Sequence, residues 1–497
     1  MAGAMINRIF AMGTATGESS EILPTTTHTM YRTSFSPIPK IRRYDIMKKR
    51  RFKFSCISGA EGTHKSSKPP SSWLFRVVMD FDNSHITALT DLINAAVHDV
   101  ITEYAAVGMA VPTLGSLTRG PFDSPEGTPE KFSRAVQVIE AACMQLTLTV
   151  TTPAHVVVNR SLQHEESACL SVVTEAKIAD LLLNKPNGVH VDELAELTGL
   201  DGGKLGRILR VLATKHCFRE VKPGVFANNR LSLKLQSTEP VAAYVSLLAD
   251  EGLLASAHLK NTMNMPLGRD SCTPFQHAKG HNLYHYYTLP EGKKQGERFN
   301  HAMVGGGELL GQGMVARVYP WASVPADSIV CDVAGGNGHA TMRLIKAHPH
   351  LRVTLQDQPE VISEAKKFWK NKHPEAIDNK RINFVTFDFL KDVAAEGCDF
   401  YYMRSILRGE PDSHSYKILQ NVRKAMKPTS RLIIEDTVLK NTVRDCSSEP
   451  DQVFDQAPEP LLPNWGAAGV RANYTDMNMM NLLDGLIRTL PEFVELW

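Results

Sequence analysis

The sequence predicts an α/β protein in which a mainly helical half precedes a doubly wound, Rossmann-like parallel sheet. Two observations carry this prediction. Apolar residues recur at three- and four-residue steps through residues 86–104, which is typical of an amphipathic helix. Further along the chain, short apolar runs alternate with helical stretches from residue 329 to residue 438, which is typical of a parallel sheet covered by helices.

Composition limits the class of protein. The chain has 497 residues, is 43% hydrophobic and carries a net charge of +2, so it can bury more than one core. No apolar run is long enough to span a membrane. The eight cysteines are scattered, which indicates free thiols in a reducing compartment. We therefore expect a cytoplasmic protein with no membrane partner and, because no cluster has metal-ligand spacing, no metal.

The first 78 residues differ from the rest of the chain. They are rich in Ser, Thr and Pro, and a basic run extends from Arg42 to Lys53. Such a run can be a transit peptide, a nuclear signal or a nucleic-acid patch, but the simpler interpretation is a disordered basic extension.

The helical half contains a winged-helix pattern. Helices are predicted over residues 168–183, 191–197 and 203–215, followed by a small hairpin around Lys222-Pro223. The third helix carries the basic residues that a DNA-binding protein would use for recognition, namely Lys204, Arg207, Arg210 and Lys215. Alternatively, the fold is a packing and dimerisation module and these residues form a solvated face.

The second half opens like a nucleotide-binding domain. Strand Ile329–Val333 leads directly into the glycine loop Ala334–Gly338, where backbone can approach a ligand closely and a helix N-terminus offers unpaired N–H groups. The next strand, at 351–355, is followed by Asp357, placed to hold a ribose hydroxyl pair. Further strands at 382–387, 400–403 and 432–438 complete the predicted parallel sheet.

The order of motifs in this half is specific. It comprises Asp332–Gly338, Asp357, Phe387-Asp388-Phe389, Tyr402–Leu407 and Arg488–Phe493. In this order they resemble the plant and fungal caffeate-type O-methyltransferases, nearest the fungal branch, over roughly residue 84 to the end. The resemblance implies a helical, winged-helix domain for dimerisation and substrate binding at 79–322, and a Rossmann-like methyltransferase domain at 323–497.

The resemblance also implies the ligands and partners. The cofactor would be S-adenosyl-L-methionine (SAM), the acceptor a hydroxyl of phenolic type on a small molecule, and the assembly a homodimer whose winged helix does not bind nucleic acid. Its cofactor contacts would be the methionine-end residues Asp332, Gly335, Gly336 and Gly338, the ribose residue Asp357, the adenine residues Asp388 and Phe389, and Arg404 beside the cofactor. Phe299 and Met303 would line the acceptor pocket. Each of three residues also has a purely structural alternative. Asp332 could cap the loop, Asp388 could end a strand, and Arg404 could be a surface charge.

The catalytic positions depart from the family pattern. Arg408 stands where the family places its general-base histidine, and an arginine stays protonated and cannot accept the acceptor's proton. Ile487 stands where a glutamate helps orient that histidine, so Glu435 is the remaining carboxylate of the group. His414 is the nearest imidazole in sequence, and we expect it at the surface.

The end of the sequence is a further departure. The family continues into two more strands after the segment matching residues 490–496, whereas this chain ends at Trp497. We therefore expect a truncated sheet whose fifth strand, residues 432–438, is an unprotected edge.

Three functions remain open from the sequence. The first is an active O-methyltransferase, because loss of a general base costs about 10²–10⁴ in rate without abolishing a direct displacement. The second is a catalytically silent relative that binds the cofactor or an active partner, which Arg408 and Ile487 favour. The third is a winged-helix DNA-binding regulator, which the near-neutral charge and the intact glycine loop disfavour.

Overall fold

The computed structural model describes residues 8–12, 23–24, 82–125, 127–265, 272–309, 315–444 and 456–496. Within these ranges, no helix is both long and apolar enough to cross a membrane. The elements that precede the sheet are β1 (Arg8–Met12), β2 (Leu23–Pro24), α1 (Ser84–Ala106), α2 (Glu130–Val150), α3 (Pro153–Ser161), α4 (His164–Glu175), α5 (Ile178–Leu181), β3 (Val189–His190), α6 (Val191–Thr198), α7 (Gly202–Thr214), β4 (Arg219–Lys222), β5 (Val225–Ala227), α8 (Pro240–Leu247), α9 (Leu253–Thr262), α10 (Pro274–Lys279), α11 (Leu283–Thr288), α12 (Lys293–Leu309) and α13 (Val315–Val318).

The second half contains the elements of the large sheet and its covering helices. They are β6 (Ile329–Val333), α14 (His339–Ala347), β7 (Arg352–Asp357), α15 (Pro359–Lys372), α16 (Pro374–Asp378), β8 (Ile382–Thr386), β9 (Phe400–Arg404), α17 (Asp412–Ala425), β10 (Arg431–Asp436), α18 (Val470–Leu483) and α19 (Leu490–Glu495).

The amphipathic helix predicted at 86–104 is confirmed as α1. Its buried residues Leu89, Ala96 and Tyr104 face α2, and the same core includes Trp465 from a segment near the end of the chain. Val97 and Ile101 on α1 remain exposed. The apolar stripe is therefore covered in part within the chain, and its exposed remainder is available to a partner.

The winged helix forms as predicted, with one correction. The single helix expected over 168–183 is two helices, because Lys177 adopts a left-handed backbone (φ 51°) between α4 and α5. The wing gains a strand, since β3 pairs with β5 in a small sheet of order β3-β5-β4. A dense apolar core that includes Leu194, Leu209 and Phe226 holds the module together.

The large sheet has the strand order β2-β1-β10-β9-β6-β7-β8. The five strands from β6 to β10 are parallel to their neighbours, which confirms the doubly wound sheet. Alternate residues along each strand enter two cores: one face carries Tyr402 and Ile433, and the other carries Met403 and Ile434.

The open edge expected at the fifth strand does not occur. Strand β1 pairs antiparallel with β10, from Arg8 opposite Asp436 to Met12 opposite Leu432, and β2 pairs with β1. These strands are not predictable from the sequence, because residues 1–78 show no regular apolar pattern. A five-residue strand at a sheet edge is too short to carry one.

Candidate active site

The glycine loop lies between β6 and α14, and glycine is required in it for steric reasons. Gly336 and Gly338 have φ values of +62° and +73°, a backbone region that glycine enters without strain. A side chain at Gly335 would begin 2.3 Å from the Asp332 carboxyl carbon. The loop is therefore folded tightly onto the end of β6, with its backbone turned toward the neighbouring strand ends.

Asp332, near the end of β6, connects the strand to the helix that follows the loop. Its side chain is buried, and its carboxylate accepts a hydrogen bond of 2.6 Å from the Thr341 hydroxyl on α14. Burial raises the pKa of Asp332 to about 7, and the hydroxyl of Thr341 opposes that shift. The structure places Asp332 as a brace between strand, loop and helix.

Asp357 closes the other side of the loop. One of its carboxylate oxygens accepts the Gly336 N–H at 2.8 Å, and the other accepts the Gln358 N–H at 2.7 Å. Burial raises its pKa, while these two N–H groups lower it. A carboxylate oxygen has more than one lone pair, so this half-buried group retains acceptor capacity for a diol.

Arg404, at the end of β9, belongs to a buried polar network. Its Nε donates to Glu435 at 3.0 Å, and Tyr402 donates to the other Glu435 oxygen at 2.7 Å. Arg404 Nη1 lies 3.3 Å from His339 Nε2, and burial lowers the pKa of His339 to about 4. The neutral imidazole therefore accepts from Arg404 and uses its Nδ1–H on Asn337 at 2.9 Å.

One donor of this network is unused. Arg404 Nη2 is buried and has no hydrogen-bond partner among the described residues. A buried guanidinium N–H without a partner is costly, so it indicates a place for an acceptor atom from a ligand. The residues at this end of the sheet thus fit a cofactor that carries a ribose and a carboxylate. The tight glycine loop allows close approach, Asp357 can accept hydrogen bonds from a ribose, and Arg404 has a donor left for a carboxylate.

Asp388 and Phe389 follow β8 and lie apart from this network. The Asp388 carboxylate accepts the Leu390 N–H at 3.0 Å and pairs with Lys391 at 2.7 Å, and Lys391 lowers its pKa. Phe389 packs partly buried against the core on the Met403 face. The hydrogen bonds of Asp388 are made with residues 390–392 of its own turn, so its contact with adenine stays a prediction.

Arg408 lies in a short 3-10 turn, Leu407–Gly409, directly after β9. Its side chain is mostly buried, and its Nε is 3.9 Å from Asp436 Oδ1. Burial raises the pKa of Asp436, and the charge of Arg408 opposes that shift. The sequence pointed to Glu435 as the carboxylate of the base group, but the structure brings Asp436 to this position and turns Glu435 toward Arg404.

Arg488 fixes the backbone around Arg408. It is fully buried, pairs with Asp412 at 2.7 Å and donates to the carbonyl oxygens of Leu407 (2.8 Å) and Glu410 (3.0 Å). Ile487, beside it, is also fully buried. The loop that carries Arg408 is therefore held in place by buried contacts.

His414 is not the free surface residue that the sequence suggested. Its side chain is one-quarter exposed, and its Nδ1 lies 2.8 Å from Glu410 Oε2. Burial raises the pKa of Glu410, and His414 opposes that shift. This pair follows Arg408 closely in the chain, and its i, i+4 spacing is the one feature of the sequence that indicates it.

The predicted acceptor pocket residues lie on α12, beside an aromatic group from α11. The rings of Tyr284 and Tyr287 lie 5.9 and 5.3 Å from that of Phe299. The Tyr284 side chain is 55% exposed, but the protein around it still raises its pKa to about 12, with further contributions from the charges of Glu410 and Asp357. Both carboxylates are therefore near enough for their charges to act on this phenol. Met303 is 40% exposed on the same helix.

A buried ionic group lies behind this aromatic wall. Glu251 pairs with Arg298 and accepts the Tyr287 hydroxyl at 3.0 Å. Burial raises the pKa of Glu251, and Arg298 lowers it. Arg298 Nε and Gln295 Oε1, one turn apart on α12, are buried without partners among the described residues. Sequence reasoning missed this group, because its members come from separate helices.

Within the described part of the chain, no group of three or more His, Cys, Asp or Glu side chains is arranged to hold a metal ion. Six of the eight cysteines lie in described regions, and all six are free thiols.

Two family models match the chain. An O-methyltransferase domain matches residues 257–454, and an O-methyltransferase dimerisation domain matches residues 161–237. The chain is similar to 3-O-methyltransferase 2 of Phanerochaete chrysosporium, with 41% identity over 423 residues that cover 83% of this chain and 92% of the relative. It is also similar to O-methyltransferase gedA of Aspergillus terreus, with 31% identity, 83% of this chain and 91% of the relative.

Solved structures share the architecture. The mitomycin 7-O-methyltransferase MmcR superposes with a TM-score of 0.56 at 26% identity, covering 69% of this chain and 90% of that one. LepI in complex with SAM superposes with a TM-score of 0.59 over 82% of this chain and 92% of that one, and at 21% identity it shows likeness of fold alone.

Proposed function

Because this chain belongs to the SAM-dependent O-methyltransferase family, whose members methylate small metabolites, we propose that its acceptor is a phenolic hydroxyl. The observation that carries the proposal is the aromatic group of Tyr284, Tyr287 and Phe299, in which Tyr284 is near enough to Asp357 for the carboxylate charge to act on its phenol. Aromatic side chains hold a flat ring by stacking and edge-to-face contacts. A relative from Aspergillus flavus, 30% identical over 63% of this chain, is named sterigmatocystin 8-O-methyltransferase.

We assign the cofactor contacts as follows. The methionine end lies against the loop of Gly335, Gly336 and Gly338 above Asp332, and the ribose hydroxyls bind Asp357. The unused Nη2 of Arg404 donates to the cofactor, and Glu435 fixes the arginine for that contact. Adenine beside Asp388 and Phe389 remains an expectation from the family pattern.

The cofactor supplies an electrophilic methyl group on a sulfonium, and the protein's task is alignment. Asp357 and Arg404 would hold the cofactor so that its methyl group lies in line with an acceptor oxygen whose proton has gone to solvent. Holding the reactants in line can supply about 7–11 kcal/mol of the barrier. Arg408 cannot take the proton, so we expect transfer to depend on the ionised fraction of the phenol.

A catalytically silent relative is the second candidate. It is favoured by the Arg408–Asp436 pair, which fills the base position with a neutralised ion pair, and by the apolar Ile487. Such a chain would bind the cofactor and a partner without turnover.

We further propose a homodimer formed through the helical half. The dimerisation-domain match covers α4 to β5, and Val157 and Val158 on α3, just before it, are largely exposed. Nucleic-acid binding by α7 is not expected, because Arg210 bonds to the Gly206 carbonyl within its helix and Lys215 lies 3.6 Å from Glu166.

Methyl transfer from labelled SAM to a panel of phenols and aliphatic alcohols tests the proposal. We expect product with phenols, at a rate that rises with pH as each phenol ionises, and none with unactivated aliphatic alcohols. Cofactor binding by calorimetry without transfer to any phenol would favour the silent relative.

A further inference from the structure

The set of five parallel strands ends at β10, and the N-terminal strand β1 pairs with that edge. In the five parallel strands, β10 is the last one and would present a row of unpaired backbone N–H and C=O groups. Its residues Leu432–Asp436 are nearly all inaccessible to solvent, and the strand ends in two carboxylates, Glu435 and Asp436. Those carboxylates hold Arg404 and Arg408.

The edge is occupied by the N-terminal strand of the same chain. Every residue of β1 has a partner in β10, from Arg8 opposite Asp436 to Met12 opposite Leu432. The pairing continues to the carboxylate end, because Ile9 lies opposite Glu435. The strand therefore covers the backbone of the two residues that anchor the site's arginines.

We propose that β1 is an integral part of the methyltransferase sheet, and that its pairing with β10 holds Glu435 and Asp436 in place for cofactor binding. The observation is independent of the acceptor. It gives residues 8–12 a function that the sequence of the extension did not suggest.

The β1–β10 pairing affects the charges of the two carboxylates as well as the position of their backbone. Buried carboxylates keep their charge only while cationic or hydrogen-bonding partners compensate for the lost water, and Tyr402, Arg404 and Arg408 are those partners. An unpaired β10 edge would admit water to its backbone and let the strand end move. The Arg404 side chain, anchored on Glu435, would then lose its fixed position beside the cofactor loop.

Connectivity makes the proposal testable in trans. Residues 25–83 connect the strand pair β1 and β2 to α1, so β1 docks from a distant point in the chain. A strand that docks in this way can be replaced by a separate peptide. The peptide must be added at a concentration close to the effective concentration that the covalent connection gives the strand.

The first experiment breaks the ladder with proline in the full-length protein. The double variant Phe10→Pro/Ala11→Pro removes the N–H groups of two consecutive residues. Successive N–H groups along a strand point to opposite neighbours, so one of the two lost groups points toward β10. The matched control is Thr26→Pro/Thr27→Pro, beyond β2. Hydrogen exchange is followed at Leu432–Asp436, together with the dissociation constant for SAM.

We expect amide exchange at β10 to accelerate at least 100-fold in the strand variant and SAM binding to weaken at least fivefold, with the control unchanged. Removing residues 1–25 should act in the same way, and a synthetic peptide of residues 1–25 should restore both protection and binding. Unchanged β10 exchange in the proline variant would overturn the proposal. So would peptide rescue that fails while the truncated protein stays folded.

A second copy could donate the strand instead. The proposal commits to pairing within one chain, so protection of β10 in the wild type should not change with protein concentration. Protection that falls on dilution, in step with dissociation of a dimer, would overturn the intrachain assignment. Loss of methyl transfer with intact SAM binding would count against the proposed acceptor chemistry and leave this inference standing.

Discussion

Glu435 and Asp436 are neighbours on one strand, yet they serve two different faces of the sheet. Glu435 points to the face of Tyr402 and holds Arg404 near the glycine loop, whereas Asp436 points to the opposite face and holds Arg408. Both carboxylates are buried, and each pairs with one arginine. We call the Arg404 side the cofactor face, because its residues are those we propose for SAM, and the Arg408 side the base face, because Arg408 stands where we expect a general base and cannot act as one.

The two faces should differ in how far they tolerate substitution. A cofactor site requires backbone shape, and Gly335 leaves no room for any side chain. A general base assists a displacement that positioning already drives, so its loss costs rate and not the reaction. We therefore expect variants of the cofactor face to act on binding and variants of the base face to act on turnover.

The largest effect is expected at Arg488, which supports the base face. Arg488→Ala removes the buried hydrogen bonds to the carbonyl oxygens of Leu407 and Glu410, breaks the ion pair with Asp412 and opens a cavity, so the free energy of unfolding should fall by about 3–5 kcal/mol. Urea denaturation measures the loss. Arg488→Lys keeps the positive charge but loses the several N–H donors of the guanidinium, so its loss of unfolding free energy should lie between zero and that of the alanine variant. A loss below about 1 kcal/mol in the alanine variant would show that the buried guanidinium does not organise this loop.

A smaller effect, confined to binding, is expected on the cofactor face. Asp357→Ala removes the acceptor for the Gly336 N–H and for the ribose, so SAM binding should weaken by about 1.5–3 kcal/mol, the range for a hydrogen bond to a charged group. Calorimetry measures it, and Asp327→Ala, an exposed carboxylate just before β6, serves as the control. Equal affinities for wild type and Asp357→Ala would remove Asp357 from the ribose site.

The smallest effect is expected at the base position. Arg408→His places an imidazole beside Asp436, which can orient it, and should raise phenol methylation about tenfold, part of the 10²–10⁴ that base catalysis supplies. The variant's pH profile should gain a titration nearer neutral pH, where an imidazole changes charge. Adding Ile487→Glu should give more than the product of the single gains, because residues acting as a unit are non-additive. No gain from Arg408→His would mean that another group already takes the proton.

Much of the fold could be predicted from local pattern. Strand Ile329–Val333, its glycine loop and the acidic end of the next strand have fixed spacing, and the structure places them as that spacing requires. The helix break at Lys177 was missed, because its left-handed backbone has no glycine to signal it. Strand β1 was missed because it is five residues long and pairs with a strand more than 400 positions away.

Site residues that are consecutive in the chain could be predicted, whereas contacts between residues from distant segments could not. Arg404 is predictable from its place at the end of β9, but its contacts with Glu435 and His339 are not, because the sequence does not show which side chains turn toward it. Asp436 was overlooked in favour of Glu435 because alternation along a strand assigns the two to opposite faces without saying which face holds Arg408. Arg488 was noted as part of a motif, but its burial and its contacts are tertiary facts.

The separation of the two faces is tested most directly by calorimetric titration of SAM into wild type, Arg408→His and Asp357→Ala under identical conditions. We predict indistinguishable dissociation constants for wild type and Arg408→His and a value at least tenfold weaker for Asp357→Ala, which corresponds to about 1.4 kcal/mol or more. Weakening of SAM binding by Arg408→His to the level of Asp357→Ala would contradict the account, because the arginine would then belong to the cofactor site.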